Sequence, residues 1–214
     1  MGRWVLTRRL LWATVAVAAL GLAALAWRAN NVEARTEPAS AAAPAQNYEM
    51  FGQGLGEATL VDQTGAAVRW ADLNGPPRAL FFGFTHCPEI CPTTLADLDG
   101  ALDRIGPGAA RLRIDFVTID PERDTPETLA AYLGSFEGRD IRGYTGSEAQ
   151  IAQIANAYRA AYRREELDGG DYTMNHTTMV YLIDTDGKVV DLLSYGAPQD
   201  RVVAQLSALL ARQS

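Results

Sequence analysis

The chain has 214 residues, 48% hydrophobic and 21% charged, a composition that suits one well-cored domain with an appendage. Its formal charge is −7, and residues 1–47 hold five arginines against two glutamates, so the remainder carries about −10 and is no nucleic-acid binder. Two cysteines and two histidines in all exclude a disulfide scaffold and a four-ligand zinc module in its usual repeat spacing.

Residues 1–9 carry Arg3, Arg8 and Arg9, the basic flank expected of a cytoplasmic N-terminus. Leu10 to Trp27 is an uncharged run of about 18 residues, near the minimum for crossing a bilayer, with Trp4 and Trp27 at interfacial positions. Ala24-Leu25-Ala26 resembles a small-x-small cleavage site, so a signal peptide competes with a transmembrane anchor over 10–27. The length of the run and bulky Trp27 favour the anchor, and either reading exports the body of the protein. Residues 28–47 lack apolar periodicity and are rich in Ala, Pro and polar residues, which reads as a flexible linker. The domain spans 48–214.

Within it, Thr59–Val68 reads as a hairpin with Gly65 in its turn, and Asn74-Gly75-Pro76-Pro77 as a second turn. Ala79–Thr85 is a buried strand, and Thr93–Ile105 has the 3/4 apolar spacing of a helix stopped by Gly106-Pro107-Gly108. Leu112–Ile119 is a strand. Thr125 as N-cap and Pro126 at the first position open a helix to about Phe136. Ser147 and Gln150 make a capping-box pattern for a helix running to about Arg164. Asp168-Gly169-Gly170 is a loop; Thr178–Asp184 and Val189–Tyr195 are strands joined at Asp186-Gly187, and Pro198–Leu210 is a last helix. The fold class is α/β: a thioredoxin-like fold with an N-terminal β-hairpin extension, preceded by a single N-terminal transmembrane helix.

Both cysteines, Cys87 and Cys91, fall where the buried strand gives way to a helix. On a helix, positions i and i+4 share a face, and free N–H groups at the helix start favour thiolate. Two such sulfurs can close a disulfide or hold a soft metal ion. The C-x₃-C spacing, stiffened by Pro88 and Pro92, suits metal ligation better than the C-x-x-C of rapid disulfide exchange. His176 lies in a loop just before the strand Met179–Asp184, and a thioredoxin-like plan packs that loop against the active-site cysteines. A Cys₂His set is soft, favours Cu(I), also accepts Cu(II) or Zn(II), and leaves a coordination position open. Asn175-His176-Thr177 stands where thioredoxin-like oxidoreductases place a cis-proline. His86 is expected to pack or to support a ligand, and Met174 to make an apolar contact. Asp124 is explained by helix capping, while Asp120 is a candidate to hydrogen-bond His86 or His176. A peroxidase reading fits poorly, because Thr85-His86-Cys87 is T-x-C rather than T-x-x-C.

The segments FTHCPEICP, VTIDPERDTPETL and YTMNHTTMVYLID, in that order, closely resemble the Sco/SenC family of thioredoxin-like copper proteins. The resemblance implies that Cys87, Cys91 and His176 are ligands of one copper ion, Cu(I) or Cu(II). It implies a metallochaperone rather than an enzyme, assembling the binuclear copper site of cytochrome c oxidase subunit II. The alternative is a membrane-anchored thiol–disulfide oxidoreductase that keeps the target's cysteines reduced. Further candidate partners are another copper chaperone or a thioredoxin-like reductant. The expected location is a cell inner membrane, single-pass, with the C-terminal domain in the periplasm. Two departures stand out: Asn175 where the family commonly has Asp, and Thr177 for a frequent Ser.

Overall fold

The structure, a computed structural model, describes residues 21–22, 48–136 and 139–212. Contacts divide the chain into two units, Met1–Ala45 and Gln46–Ser214. Of the first only Gly21 and Leu22 are described, both helical. The expected anchor and linker otherwise lie outside the described residues, and among those described no helix is long and apolar enough to cross a membrane.

In the second unit a seven-stranded sheet has the order β2-β1-β5-β4-β3-β8-β9. Beside the middle strand lies β3 (Arg78–Gly83), every residue of which is buried. A strand covered on both faces needs a continuous apolar run, and Ala79-Leu80-Phe81-Phe82 supplies it. β4 (Arg113–Thr118) lies parallel on one side of β3, and β8 (Met179–Ile183) antiparallel on the other. β9 (Val189–Ser194) follows through the expected hairpin, with Gly187 at φ 82 in its turn. β1 (Thr59–Asp62) and β2 (Ala67–Arg69) form the N-terminal hairpin, attached through β5 (Ile141–Thr145).

Helix α1 (Ile90–Ile105) buries Leu95, Leu98 and Leu102. It is joined to α4 (Gln199–Ala211) by Gln199 Nε2 donating to the Asp97 carbonyl at 3.0 Å and by the Arg104–Asp200 pair. α2 (Pro126–Leu133) is capped by Thr125, whose hydroxyl accepts from Thr128 N, and packs on β5, where Gly143 leaves room for Leu133. α3 (Glu148–Ala157) has the full Ser147–Gln150 capping box. The start of β3 is anchored by a buried ionic cluster: Asp115 accepts from Arg78 and Arg113, and Arg113 also donates to the Leu73 carbonyl. A buried charge is tolerable when paired and hydrogen-bonded.

Three strands depart from the sequence reading. The helix opened by Ser147 ends at Ala157 rather than near Arg164, because Arg159 turns to φ 53 and reverses the chain. Beyond it, β6 (Tyr162–Glu166) pairs antiparallel with β7 (Tyr172–His176), so the segment read as a loop before His176 is half of a second, two-stranded sheet. β5 is the third, a five-residue strand with a glycine at its centre.

Candidate metal centre

Gly83 ends β3, and the chain turns through Phe84–Glu89 into α1, with Cys87 N donating to the Phe84 carbonyl. Cys87 therefore precedes the helix, while Cys91 lies in its first turn. The sequence argument put both on one helical face; the sulfurs converge by another route. The Cys91 N–H, one of the unpaired donors at a helix start, points to Cys87 Sγ at 3.4 Å. No side chain caps this helix in the usual way, and the sulfur fills part of that role.

The two thiols differ in kind. Cys91 is 1% exposed and Cys87 8%. The Cys91 thiol donates to Cys87 and, with help from His176 and the backbone N–H groups of Cys91 and Glu89, pulls the Cys87 pKa down to about 4 against the opposing effect of burial. The same hydrogen bond, together with burial, pushes the Cys91 thiol far up. The first proton thus leaves the pair easily and the second is retained, as in any tightly coupled pair.

His176 ends β7 and brings Nε2 to 4.0 Å from Cys91 Sγ. Its Nδ1 lies 2.9 Å from the Thr177 carbonyl, which can only accept, so Nδ1 carries the proton. Nε2 faces the sulfurs: unprotonated, it has the lone pair by which histidines ligate metals, and protonated, it supplies the hydrogen bond that favours the Cys87 thiolate. Phe84 meets the imidazole edge-to-face at 6.0 Å. Among the described residues no three His, Cys, Asp or Glu side chains already stand close enough to hold an ion. The 4.0 Å separation is nevertheless one that a single ion spans, since bonds of about 2.3 Å to sulfur and 2.0–2.1 Å to nitrogen reach about 4.4 Å. The donor set fits a soft cation once the third donor is drawn in.

Other candidates are placed differently. Asp120 reaches neither histidine: it accepts from Arg123 Nε at 2.6 Å and from the Tyr172 hydroxyl at 2.9 Å. The carboxylate that faces the site loop is Asp124, fully buried, accepting from Thr85 N (3.0 Å), Thr85 Oγ1 (2.6 Å) and Thr118 Oγ1 (2.6 Å). Burial raises its pKa and those hydrogen bonds partly offset the rise. Because the Thr85 hydroxyl donates to Asp124, it accepts from His86 Nδ1 at 3.1 Å. His86 is thus an exposed ring turned toward Thr85, and it hydrogen-bonds none of the three candidate ligands among the described contacts. Met174 packs on the core edge.

Two residues were not singled out from the sequence. Gly83 has no room for a Cβ, which would lie 2.8 Å from Cys91 Sγ and 2.7 Å from Phe116 Cε2; a glycine inside an aromatic strand run is the signal for such close approach. Tyr132 meets Phe116 in a tilted ring contact, and its buried hydroxyl has no partner among the described residues. Burial and the two cysteines raise its pKa, so it stays a neutral part of the site's wall.

Comparison with known proteins adds the relationship. The SCO1/SenC family profile matches residues 52–211. The mitochondrial SCO2 homolog of Bos taurus is 35% identical over 200 residues, covering 92% of this chain and 73% of the relative. The structure of Bradyrhizobium japonicum ScoI with copper bound superposes with a TM-score of 0.64 at 38% identity, over 71% of this chain and 96% of that one. Arabidopsis thaliana ScoI, also with copper bound, gives 0.67 at 32% identity, over 73% and 96%. The similarity extends over the thioredoxin-like core that carries both cysteines and His176.

Proposed function

The chain belongs to the SCO1/SenC family, and from that premise we propose that it is a copper chaperone holding one copper ion through Cys87, Cys91 and His176. The observation that carries this reading is His176 Nε2 standing 4.0 Å from Cys91 Sγ, with Nδ1 turned away to the Thr177 carbonyl. Support comes also from the copper-bound state of two solved relatives. Two sulfurs and one imidazole form a soft set suited to Cu(I), and three donors leave a position through which a target's ligand enters. The target is the binuclear copper site of cytochrome c oxidase subunit II, as the family resemblance implies. The apolar Leu10–Trp27 run supports an inner-membrane anchor with the domain on the periplasmic side.

A second reading has its own support. A Cys87 thiolate, with a pKa near 4, attacks a target disulfide. Cys91 then resolves the mixed disulfide, releasing a target dithiol and leaving a Cys87–Cys91 disulfide. Two electrons pass to the target, and the chain's metal ligands are consumed until a reductant restores them. The two activities share the sulfurs and differ in their need for His176.

The test is an anaerobic copper titration of the reduced full chain, with spectra in both oxidation states. One ion per chain is expected, lost in Cys87→Ser and Cys91→Ser and weakened about 10–100-fold in His176→Ala. Wild-type affinity and spectrum in His176→Ala would refute the ligand set. Full target maturation by that variant would favour the thiol-reductase reading.

A further inference from the structure

The sulfurs and the imidazole come from different parts of the fold: the turn after β3 and the first turn of α1 carry the cysteines, and the separate β6–β7 hairpin carries His176. Something must fix the distance between them. The margin is small, since about 0.4 Å separates the observed 4.0 Å from the reach of one ion.

Beside His176 the hairpin closes on itself: Thr177 N donates to the Ala161 carbonyl and Ala161 N to Thr177 Oγ1. At Tyr172 the hairpin is tied to the rest of the domain, by the loop after β4. Arg123 Nη1 donates to the Tyr172 carbonyl at 3.0 Å, and its guanidinium carbon lies 3.7 Å from the ring centroid. The Arg164 guanidinium carbon lies 3.5 Å from the same centroid. Two guanidinium groups cannot occupy one face at those distances, so the ring is sandwiched between them. Such cation–π contacts gain strength when desolvated. The Tyr172 hydroxyl donates to Asp120, and Arg164 pairs with Glu122 at 3.1 Å. Tyr172 and His176 lie four residues apart on β7 and so on the same face of the strand.

The same short loop grips the other half of the site. Asp124, next to Arg123, takes both the N–H and the hydroxyl of Thr85, two residues before Cys87. Residues 120–124 therefore touch both arms of the centre while contributing no ligand.

We propose that Arg123, acting through the stacked Tyr172 ring, is a positioning residue that sets the His176–cysteine distance for metal binding. This inference rests on the ligand set proposed above. It separates two jobs that the site requires: the sulfurs and imidazole bind, and the 120–124 loop spaces them.

A double-mutant cycle on the full chain tests it, with copper affinity and the nitrogen hyperfine pattern of the Cu(II) form as readouts. Arg123→Ala is expected to weaken copper binding about tenfold and to reduce the imidazole nitrogen signal, with one ion still bound. In a His176→Ala background the same change is expected to cost less than about twofold, because its effect passes through the imidazole. Arg123→Lys, which keeps a cation on the ring, restores part of the signal. Tyr172→Leu carries the same cycle if Arg123→Ala fails to fold. Equal losses in both backgrounds, or no loss in either, overturn the inference while leaving the ligand set standing. A His176→Ala protein that matches wild type overturns the ligand set and this inference with it.

Discussion

Gly83→Ala adds one methyl group at the point where β3 passes under Cys91. The new carbon would meet Cys91 Sγ at 2.8 Å and Phe116 Cε2 at 2.7 Å. Neither can retreat into solvent, since Cys91 is 1% exposed and Phe116 0%. Overpacking of this kind costs about 1–3 kcal/mol, and the lower backbone entropy of alanine returns about 0.5–1 kcal/mol. The net loss is about 0–2.5 kcal/mol, a fall in Tm of up to about 10 °C for a domain of this size. The sulfur moves as well, so copper affinity falls on the order of tenfold, and copper-induced stabilisation at fixed metal drops by about 1.4 kcal/mol. Thermal unfolding of the reduced chain, with and without copper, measures both terms. Gly100→Ala is the control: in α1 an added carbon meets only Gln199 Nε2 at 3.8 Å, so it should stabilise by about 0.5–1 kcal/mol. A Gly83→Ala protein that gains stability like the control, with unchanged copper binding, would refute the steric argument.

Cys87 should alkylate at a rate already flat from about pH 5 upward, its thiolate forming near pH 4, while Cys91 stays unreactive to neutral pH; mass spectrometry of iodoacetamide-treated apoprotein checks both. The linked stability follows the signs. The Cys87 pKa is lower in the folded state, so its contribution is complete above the ordinary thiol value of about 8.5 and is lost as pH falls through about 4. The Cys91 pKa is higher in the folded state, so its contribution is complete at low pH and declines above about 8.5. Denaturant unfolding of the reduced apoprotein should therefore find its thiol-dependent maximum near that value, and a Cys87→Ser protein should lose the acid limb. Thr85→Val removes the hydroxyl between Asp124 and His86 and leaves a buried carboxylate short of a donor, at a cost of about 1–3 kcal/mol by denaturant unfolding. An unchanged midpoint would mean that the Asp124 contact is dispensable.

The elements that sequence made legible are those whose burial is one-sided or complete. Phe81 and Phe82 announce β3, the Leu95–Leu98–Leu102 spacing announces α1, and Ser147 with Gln150 announces the start of α3. Both cysteines and His176 stand out as candidate ligands because their chemistry is scarce in this chain and their motifs are ordered. What escaped has no such periodic signal. β6 reads Tyr-Arg-Arg-Glu-Glu and is almost wholly exposed, so nothing apolar alternates, and only its pairing with β7 makes it a strand. The end of α3 depends on Arg159 adopting a left-handed backbone, which arginine does not advertise. Asp120 and Asp124 are both carboxylates four residues apart in one loop, and composition cannot say which turns inward. The structure gives Asp124 to Thr85 and Asp120 to Tyr172 and Arg123, so Asp124 rather than Asp120 faces the cysteine loop, and Thr125 alone caps the helix.

Cys91 and His176 lie 85 positions apart along the chain. That separation has a consequence for when the centre can exist. Closing so long a loop is entropically costly and is repaid only by the non-local strand pairings, β3 with β8 above all. A partly made or partly folded chain has the two sulfurs early but lacks the imidazole until the hairpin has docked. A nascent chain therefore offers only a thiol pair, open to stray metals and to oxidation, and the complete donor set arrives as one of the last events of folding. Full-strength copper binding would then certify a finished fold, and a chain arrested short of it would carry sulfur chemistry without copper selectivity.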